Sequence, residues 1–110
     1  MMATEDFEIL GTLTHDQAVQ YVGTVFTLQL GDGQAIELKV TSADRLLPNR
    51  PRSPRMKRDP FSIYFHGPAA PLLPQGMYDL RSDAVTFTSV FLVPIGRNED
   101  GTLDYEAVFT

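Results

Sequence analysis

Apolar and polar residues alternate along most of this chain, which is the pattern of half-buried β-strands. One alternating run covers residues 25–30 and another covers 36–41, with the tetrad Gly-Asp-Gly-Gln at 31–34 between them. Glycine accepts the positive φ angles that tight turns require, so this region predicts a β-hairpin.

Four later runs show the same alternation and predict strands over residues 61–66, 77–80, 85–93 and 105–109. No helical pattern lies between these runs, so we predict an all-β fold in which six antiparallel strands close into a small barrel or roll. The apolar side of the strands carries the residues that we expect to be buried: Phe26, Leu38, Ile63, Phe65, Phe87, Phe91 and Phe109.

A short N-terminal helix is predicted over residues 14–22, ahead of the first strand. Thr14 can act as its N-cap, and Gln17 three residues later completes a capping box. Two helical turns are not stable alone in water, so this helix is expected to pack against the barrel. Residues 1–13 show no periodicity and are expected to form a flexible N-terminus, which leaves residues 14–110 as a single domain.

The segment 45–59 interrupts the strand pattern with three prolines, Pro48, Pro51 and Pro54, which remove backbone donors and exclude a central strand. It carries six of the nine Lys and Arg residues of the chain: Arg45, Arg50, Arg52, Arg55, Lys57 and Arg58. We expect a mobile, proline-rich loop. Its cations either bind an acidic protein or the acidic face of a second copy, or they have no dedicated partner and, with the prolines, keep a long loop soluble and extended. Nucleic acid is the alternative partner, because phosphate contacts dominate its affinity, although the loop lacks interleaved aromatic residues for stacking on bases.

The composition narrows the class of protein. The chain has 110 residues, a net charge of −5 and no cysteine, which excludes disulfides and cysteine-based zinc sites. The negative charge disfavours non-specific adhesion to nucleic acid or anionic membranes. The first residues are acidic and no long apolar run follows, so the sequence predicts neither a signal peptide nor a membrane span, and we expect a cytoplasmic protein.

Residues with catalytic or metal-binding chemistry are sparse. His15 and His66 are the two histidines and lie in different predicted elements, while Ser62 and Ser89 lack a nucleophile motif. We therefore expect no enzyme activity, no cofactor and no metal site. The alternative is a hydrolase around His66, which would require a pocket that gathers this histidine with a carboxylate and a nucleophile.

The strand at 85–93 is apolar on both faces in its second half, because Val90 and Leu92 lie on the opposite face from Phe87 in strict alternation. Strands of this kind are usually covered on both sides. Either the N-terminal helix covers Val90 and Leu92, or these two residues form a protein–protein interface together with Tyr64.

Four strings in the second half of the chain carry a family resemblance: DPFSIYFHGP at 59–68, LLPQGMYDL at 72–80, FLVPIG at 91–96 and YEAVFT at 105–110. In this order and spacing they resemble a family of small bacterial proteins known as a domain of unknown function, in which the basic loop is usually shorter. The resemblance implies a compact β-rich domain, and members encoded beside phage-tail-collar-like proteins imply an assembly role. We therefore expect a non-catalytic protein-binding or assembly module, accessory to a phage-tail-like or secreted-fibre assembly.

Overall fold

A computed structural model of the chain describes residues 6–8, 10–47 and 58–110. Within these residues the elements are β1 (Asp6–Glu8), α1 (His15–Val19), β2 (Val25–Gln29), β3 (Ala35–Arg45), β4 (Phe61–Gly67), β5 (Gly76–Arg81), β6 (Val85–Arg97) and β7 (Leu103–Phe109). The middle of the basic loop, residues 48–57, lies outside the described residues. The expectations for Arg50, Arg52, Arg55 and Lys57 therefore stay predictions.

Strands β2 to β7 close into a six-stranded antiparallel barrel, which confirms the predicted all-β fold with a short N-terminal helix. The order around the barrel is β6-β5-β2-β3-β4-β7, and β7 pairs again with β6. Two three-stranded meanders, β2-β3-β4 and β5-β6-β7, thus share the barrel. They join along the whole length of β4 and β7, but β2 and β5 pair only at Thr27 and Arg81.

The central strand of each meander is long and irregular. Strand β3 pairs with β2 through residues 35–39 and with β4 through 39–45, while β6 pairs with β5 through 86–92 and with β7 through 93–97. Each of these two strands changes its pairing partner near a shift in register, which marks a β-bulge. Bulges bend a strand and increase its twist, so these two strands can turn the corners that close the barrel.

The barrel interior contains six of the seven residues that the alternation places there: Phe26, Leu38, Ile63, Phe65, Phe87 and Phe109 are buried. Their aromatic rings form much of the core. Phe26 lies between the rings of Phe65 and Phe87, with centroid distances of 6.4 and 4.7 Å. The prediction for Phe91 is wrong, because its side chain is 44% exposed on the outer face of β6.

A bulge in β6 explains this error. Tyr78 pairs with Val90 while Leu80 pairs with Phe87, so β6 has one extra residue between these two pairs. Beyond the bulge the faces are exchanged, and Val90 and Leu92 lie in the core at 1% and 0% exposure. Both alternatives for these two residues are therefore wrong: they form no exposed interface, and the barrel interior rather than the helix covers them.

The helix begins as the sequence predicts. The Thr14 hydroxyl accepts a hydrogen bond from Gln17 N, and the Gln17 side chain accepts one from Thr14 N, so the capping box is confirmed. Helix α1 packs against β3, where His15 Nε2 lies 2.9 Å from the carbonyl oxygen of Ala43. Among the described residues, no helix is long and apolar enough to cross a membrane.

The fold begins earlier in the chain than the expected boundary at residue 14. Strand β1 pairs in parallel with the first residues of β6, and Leu13 is fully buried in the core. Strand β1 has only three residues, which is too short for an alternating pattern to be recognised in the sequence. Part of the segment expected to be flexible is thus built into the barrel.

Candidate partner-binding surface

Two large apolar side chains lie side by side on the outer surface of the barrel. Met77 on β5 pairs directly with Phe91 on β6, and the two residues are 60% and 44% exposed. Val93, the next outward residue along β6, is partly buried beside them. We call Met77, Phe91 and Val93 the β5–β6 patch. Apolar residues that cluster in this way mark interaction sites more often than single exposed ones do.

A strained residue sets the orientation of this patch. Ser89, within the β6 bulge, has φ of 59°, in the left-handed region that non-glycine residues rarely adopt. The carboxylate of Asp79, on the neighbouring strand, accepts a hydrogen bond of 2.8 Å from Ser89 N. This contact stabilises the bulge, and the bulge turns Phe91 towards solvent. Strained residues and bulges are frequent at functional sites, where they aim a side chain.

The structure separates the residues of the predicted apolar interface. Tyr64 lies on the outer face of β4 opposite Glu106 of β7, whereas Val90 and Leu92 lie inside the barrel. Burial, and then the negative charge of Glu106, raise the pKa of Tyr64. Glu106 also accepts a hydrogen bond of 2.6 Å from the Ser62 hydroxyl. Tyr64 therefore belongs to a polar, acidic stretch of surface.

The described cations at the two ends of the basic loop differ in their surroundings. Arg45 is exposed, and its guanidinium lies 3.7 Å from the carboxylate of Asp16. An exposed pair of this kind contributes little to stability. The acidic-partner and nucleic-acid hypotheses now rest on Arg45 and on the cations outside the described residues, and both stay predictions.

Arg58 is a structural residue rather than a free loop cation. Its Nη1 donates hydrogen bonds to the carbonyl oxygens of Leu10 and Leu13, at 2.6 and 2.5 Å. The guanidinium carbon also lies 5.6 Å from the ring centres of Phe61 and Phe109, which stack on each other. Burial lowers the pKa of Arg58, and its buried Nε has no hydrogen-bond partner among the residues that the structure describes. The side chain thus connects the N-terminal segment at Leu10 and Leu13 to the barrel at Phe61 and Phe109.

His66 lies beside a carboxylate, as the hydrolase alternative requires. Its Nδ1 is 2.9 Å from Asp104 Oδ1 across the β4–β7 ladder, and this carboxylate oxygen is also 3.3 Å from Asn98 Nδ2. A carboxylate can only accept, so Nδ1 carries the proton of this hydrogen bond. The nearby hydroxyl of Thr102 instead donates to Asp100. None of the described hydroxyl groups forms a hydrogen bond with His66.

His15 has a packing role at the other end of the barrel. The carbonyl oxygen of Ala43 can only accept, so His15 Nε2 donates to it, and the ring lies edge-on to Phe61 at 6.2 Å. The two histidines therefore do not meet. Over the described ranges, no three His, Asp or Glu side chains are close enough to hold a metal ion together.

Sequence reasoning missed Met77 and the outward orientation of Phe91. One signal was present: the consecutive polar residues Thr88 and Ser89 interrupt the alternation between Phe87 and Val90. Two polar residues in a row between apolar ones indicate that the strand changes phase there, as a bulge requires. Met77 carried no comparable signal, because its exposure depends on which face of β5 the barrel buries.

Comparison with protein families places this arrangement in a known group. Residues 13–109 match a family described as a domain of unknown function, DUF6916, which agrees with the resemblance seen in the second half of the chain. The matched range includes α1 and all six barrel strands. Comparisons with curated proteins and with solved structures find no match. The chain therefore belongs to the DUF6916 family of domains of unknown function.

Proposed function

We propose that this protein is a non-catalytic protein-binding module and that a partner contacts it through the β5–β6 patch. The observation that supports this most directly is the strained Ser89, which the Asp79 side chain stabilises and which turns Phe91 outward beside Met77. The bulge that contains Ser89 also brings Val90 and Leu92 into the core, and the residue that it exposes between them is a phenylalanine rather than a polar residue. Strained backbone is frequent at functional sites, which supports a binding role for the exposed ring.

The chemistry of the patch suits a protein partner. Aromatic residues and methionine are enriched in protein interfaces, and methionine adapts its shape to the surface that it meets. Burying a large apolar side chain completely contributes about 1.5–3 kcal/mol, and Met77 and Phe91 are each roughly half exposed, so a partner that covers both gains on the order of 2–3 kcal/mol. Asp79 at the margin of the patch supplies a polar rim.

A more specific role follows from the family resemblance alone. An accessory part in a phage-tail-like or secreted-fibre assembly, with a cytoplasmic location before assembly, agrees with the strings at 59–68 and 105–110. The β5–β6 patch is the surface through which such an assembly would take up the domain.

A photo-crosslinking experiment tests the patch. The photoreactive residue p-benzoylphenylalanine replaces Phe91 in one full-length variant and Val19 of α1 in a control, since both positions are 44% exposed. In cells of the source organism, we expect position 91 to form a discrete adduct with a protein that position 19 does not form. Adding Met77→Ser should remove the adduct at position 91. The same adducts at both positions, or an adduct indifferent to Met77→Ser, would contradict the proposal.

The His66–Asp104 pair supports a hydrolase as the second candidate function, because an oriented imidazole can act as a general base towards water. Hydrolysis of p-nitrophenyl acetate measures this activity directly. A catalytic His66 predicts that His66→Gln lowers the rate while His15→Gln, the matched histidine control, leaves it unchanged. Equal rates for both variants and the parent protein would exclude this reaction at His66.

A further inference from the structure

The barrel is weakly closed between β2 and β5. Among the described residues, Thr27 and Arg81 form the single pair between these two strands, although each strand forms a longer ladder with its other neighbour. Beside this pair lies a cleft of about 610 Å³, which we call the β2–β5 cleft. Its lining contains inward and outward side chains of both strands: Leu28, Gln29, Tyr78 and Asp79. The cleft therefore lies where β2 and β5 separate.

The edge of β5 at this cleft carries backbone groups that pair with no strand. Ser82 N donates to the carbonyl oxygen of Val85 on the β6 side, so the preceding residue, Arg81, directs its backbone groups towards β2. These directions alternate along a strand, so the N–H and C=O groups of Asp79 and Met77 also point towards β2. No described strand residue pairs with them on that side. We call Met77 and Asp79 the free edge of β5.

The opposite side of the cleft has the same character. Leu30 N donates to the carbonyl oxygen of Gln34, so the backbone groups of Leu30 point towards β3 and those of its neighbour Gln29 point towards β5. Gln29 has no paired residue on β5. Strand edges with unpaired donors and acceptors are templates for pairing with another chain.

Met77 joins this edge to the β5–β6 patch. Its backbone groups face the cleft, while its exposed side chain lies beside Phe91 on the outer face of the barrel. A strand added along the free edge of β5 would place its own outward side chains next to Met77. One partner segment can therefore use the backbone of β5 and the apolar patch at the same time.

An extended peptide segment matches this edge better than a second barrel does. The N–H and C=O groups of an extended segment have the spacing of those on β5, and strand addition of this kind is a recurring mode of peptide recognition. A second copy would present its own free edge from within its own cleft, beside its own β2. A single segment, by contrast, has no neighbouring strand to exclude it.

We propose that the partner binds as an extended segment that adds to the free edge of β5 in the β2–β5 cleft. This inference rests on the proposed function, because it names how a partner reaches the β5–β6 patch. Backbone hydrogen bonds with Met77 and Asp79 hold the segment in register. Its outward side chains cover Met77, and its inward ones lie between Leu28 and Tyr78.

NMR titration of the ¹⁵N-labelled full-length protein tests the pairing. The probe is acetyl-Lys-Thr-Val-Thr-Val-Thr-Lys-amide, and its control is the same peptide N-methylated on both valines and on the threonine between them. The control keeps every side chain but lacks donors on both edges. We expect saturable shifts and slower hydrogen exchange of the Met77 and Asp79 amides with the probe, and about fivefold or more weaker binding of the control. Equal binding of the two peptides, or no saturable shift at β5, would overturn the proposal.

Two variants of Met77 provide the second arm. Met77→Ser removes the apolar side chain but keeps the N–H group, whereas Met77→Pro also removes the N–H group that faces the cleft. Proline is tolerated where a strand has a free edge, and circular dichroism checks the fold. Binding of the probe to Met77→Pro should be about fivefold or more weaker than to Met77→Ser. Equal binding to the two folded variants would contradict strand pairing, and the N-methylated peptide decides if the proline variant does not fold.

The remaining outcomes separate this inference from the proposed function. A specific adduct at Phe91 in cells, together with equal binding of the two peptides, would overturn strand addition and leave the proposed function standing. Strand pairing without a specific adduct at Phe91 would overturn the proposed function alone. Sedimentation of the protein without peptide tests the other occupant, because a dimer that protects the Met77 amide would show that a second copy fills the cleft and would overturn the proposal.

Discussion

Arg58 and Ser89 show that single residues can have roles opposite to those their sequence context suggests. Arg58 ends a run of cations, yet its guanidinium is engaged by two backbone carbonyls and lies over two aromatic rings. Ser89 lies in a strand, yet its backbone is left-handed. In both cases a contact between residues distant in sequence determines what the residue does.

Arg58→Met tests the structural role of the guanidinium. The substitution keeps much of the aliphatic chain but removes the donors to Leu10 and Leu13, so we expect the free energy of unfolding in urea to fall by about 2 kcal/mol. Arg45→Met is the matched control, and loss of its exposed pair with Asp16 should change stability by less than about 0.5 kcal/mol. Equal effects of the two variants would show that Arg58 is not a structural anchor.

Ser89→Gly tests the strain at the bulge. Left-handed backbone is disfavoured by about 1–2 kcal/mol for an L-residue, while glycine in a strand loses about 0.5–1 kcal/mol through entropy, so the variant should be more stable by up to about 1 kcal/mol. The neighbouring Thr88 has no positive φ, and Thr88→Gly should therefore be destabilising. Thermal unfolding of both variants measures the difference, and a lower melting temperature for Ser89→Gly would contradict a strained bulge.

Among the secondary-structure elements, β6 determines which side chains form the candidate binding surface. It is the central strand of its meander and pairs with both β5 and β7. Its bulge, between Phe87 and Val90, reverses which residues point into the barrel and which point outward. The same event fills the core with Val90 and Leu92 and presents Phe91 to solvent. One inserted residue thus couples the packing of the barrel to its candidate binding surface.

A pair of phenylalanine truncations separates the two faces of β6. Phe87→Ala opens a cavity beside Phe26 and should lower the free energy of unfolding by about 3–5 kcal/mol. Phe91→Ala removes a side chain from the surface and should change it by less than about 1 kcal/mol. Urea denaturation compares the two, and a loss at Phe91 as large as that at Phe87 would mean that Phe91 is buried after all.

For the whole molecule, the two meanders form one core. Buried residues come from every barrel strand and from α1, and the longest shared ladder joins β4 to β7, which belong to different meanders. Each meander alone would expose the apolar face that it turns towards the other. Closure of the barrel is therefore a property of the complete chain.

Fragments divided between the meanders test this dependence. We expect residues 1–70 and residues 71–110, produced separately, to show no cooperative unfolding transition, because neither can bury its apolar face. Mixed in equal amounts, they should regain the circular dichroism of the intact protein, because the ladder between β4 and β7 can then form. A fragment that unfolds cooperatively by itself would instead show an independent half-barrel.

Local patterns in the sequence were sufficient for the six barrel strands, the capped helix and most of the core, because alternation and capping depend on residues close together in the chain. Phe26 and Phe65 were predictable for this reason. Phe91 was misplaced because strict alternation was continued through the polar pair Thr88 and Ser89, where the bulge changes the phase. No local pattern could identify Arg58 as an anchor for carbonyls 45 and 48 residues away.

The candidate surfaces depend still more on long-range contacts. Met77 meets Phe91, and Gln29 lies across the cleft from β5, only because strand pairing places them there. The register of each strand pair depends on which side chains the closed barrel buries, and closure of the barrel requires all six strands. Strand identity was thus encoded locally, whereas the faces, neighbours and grooves from which function follows arose from the closed barrel.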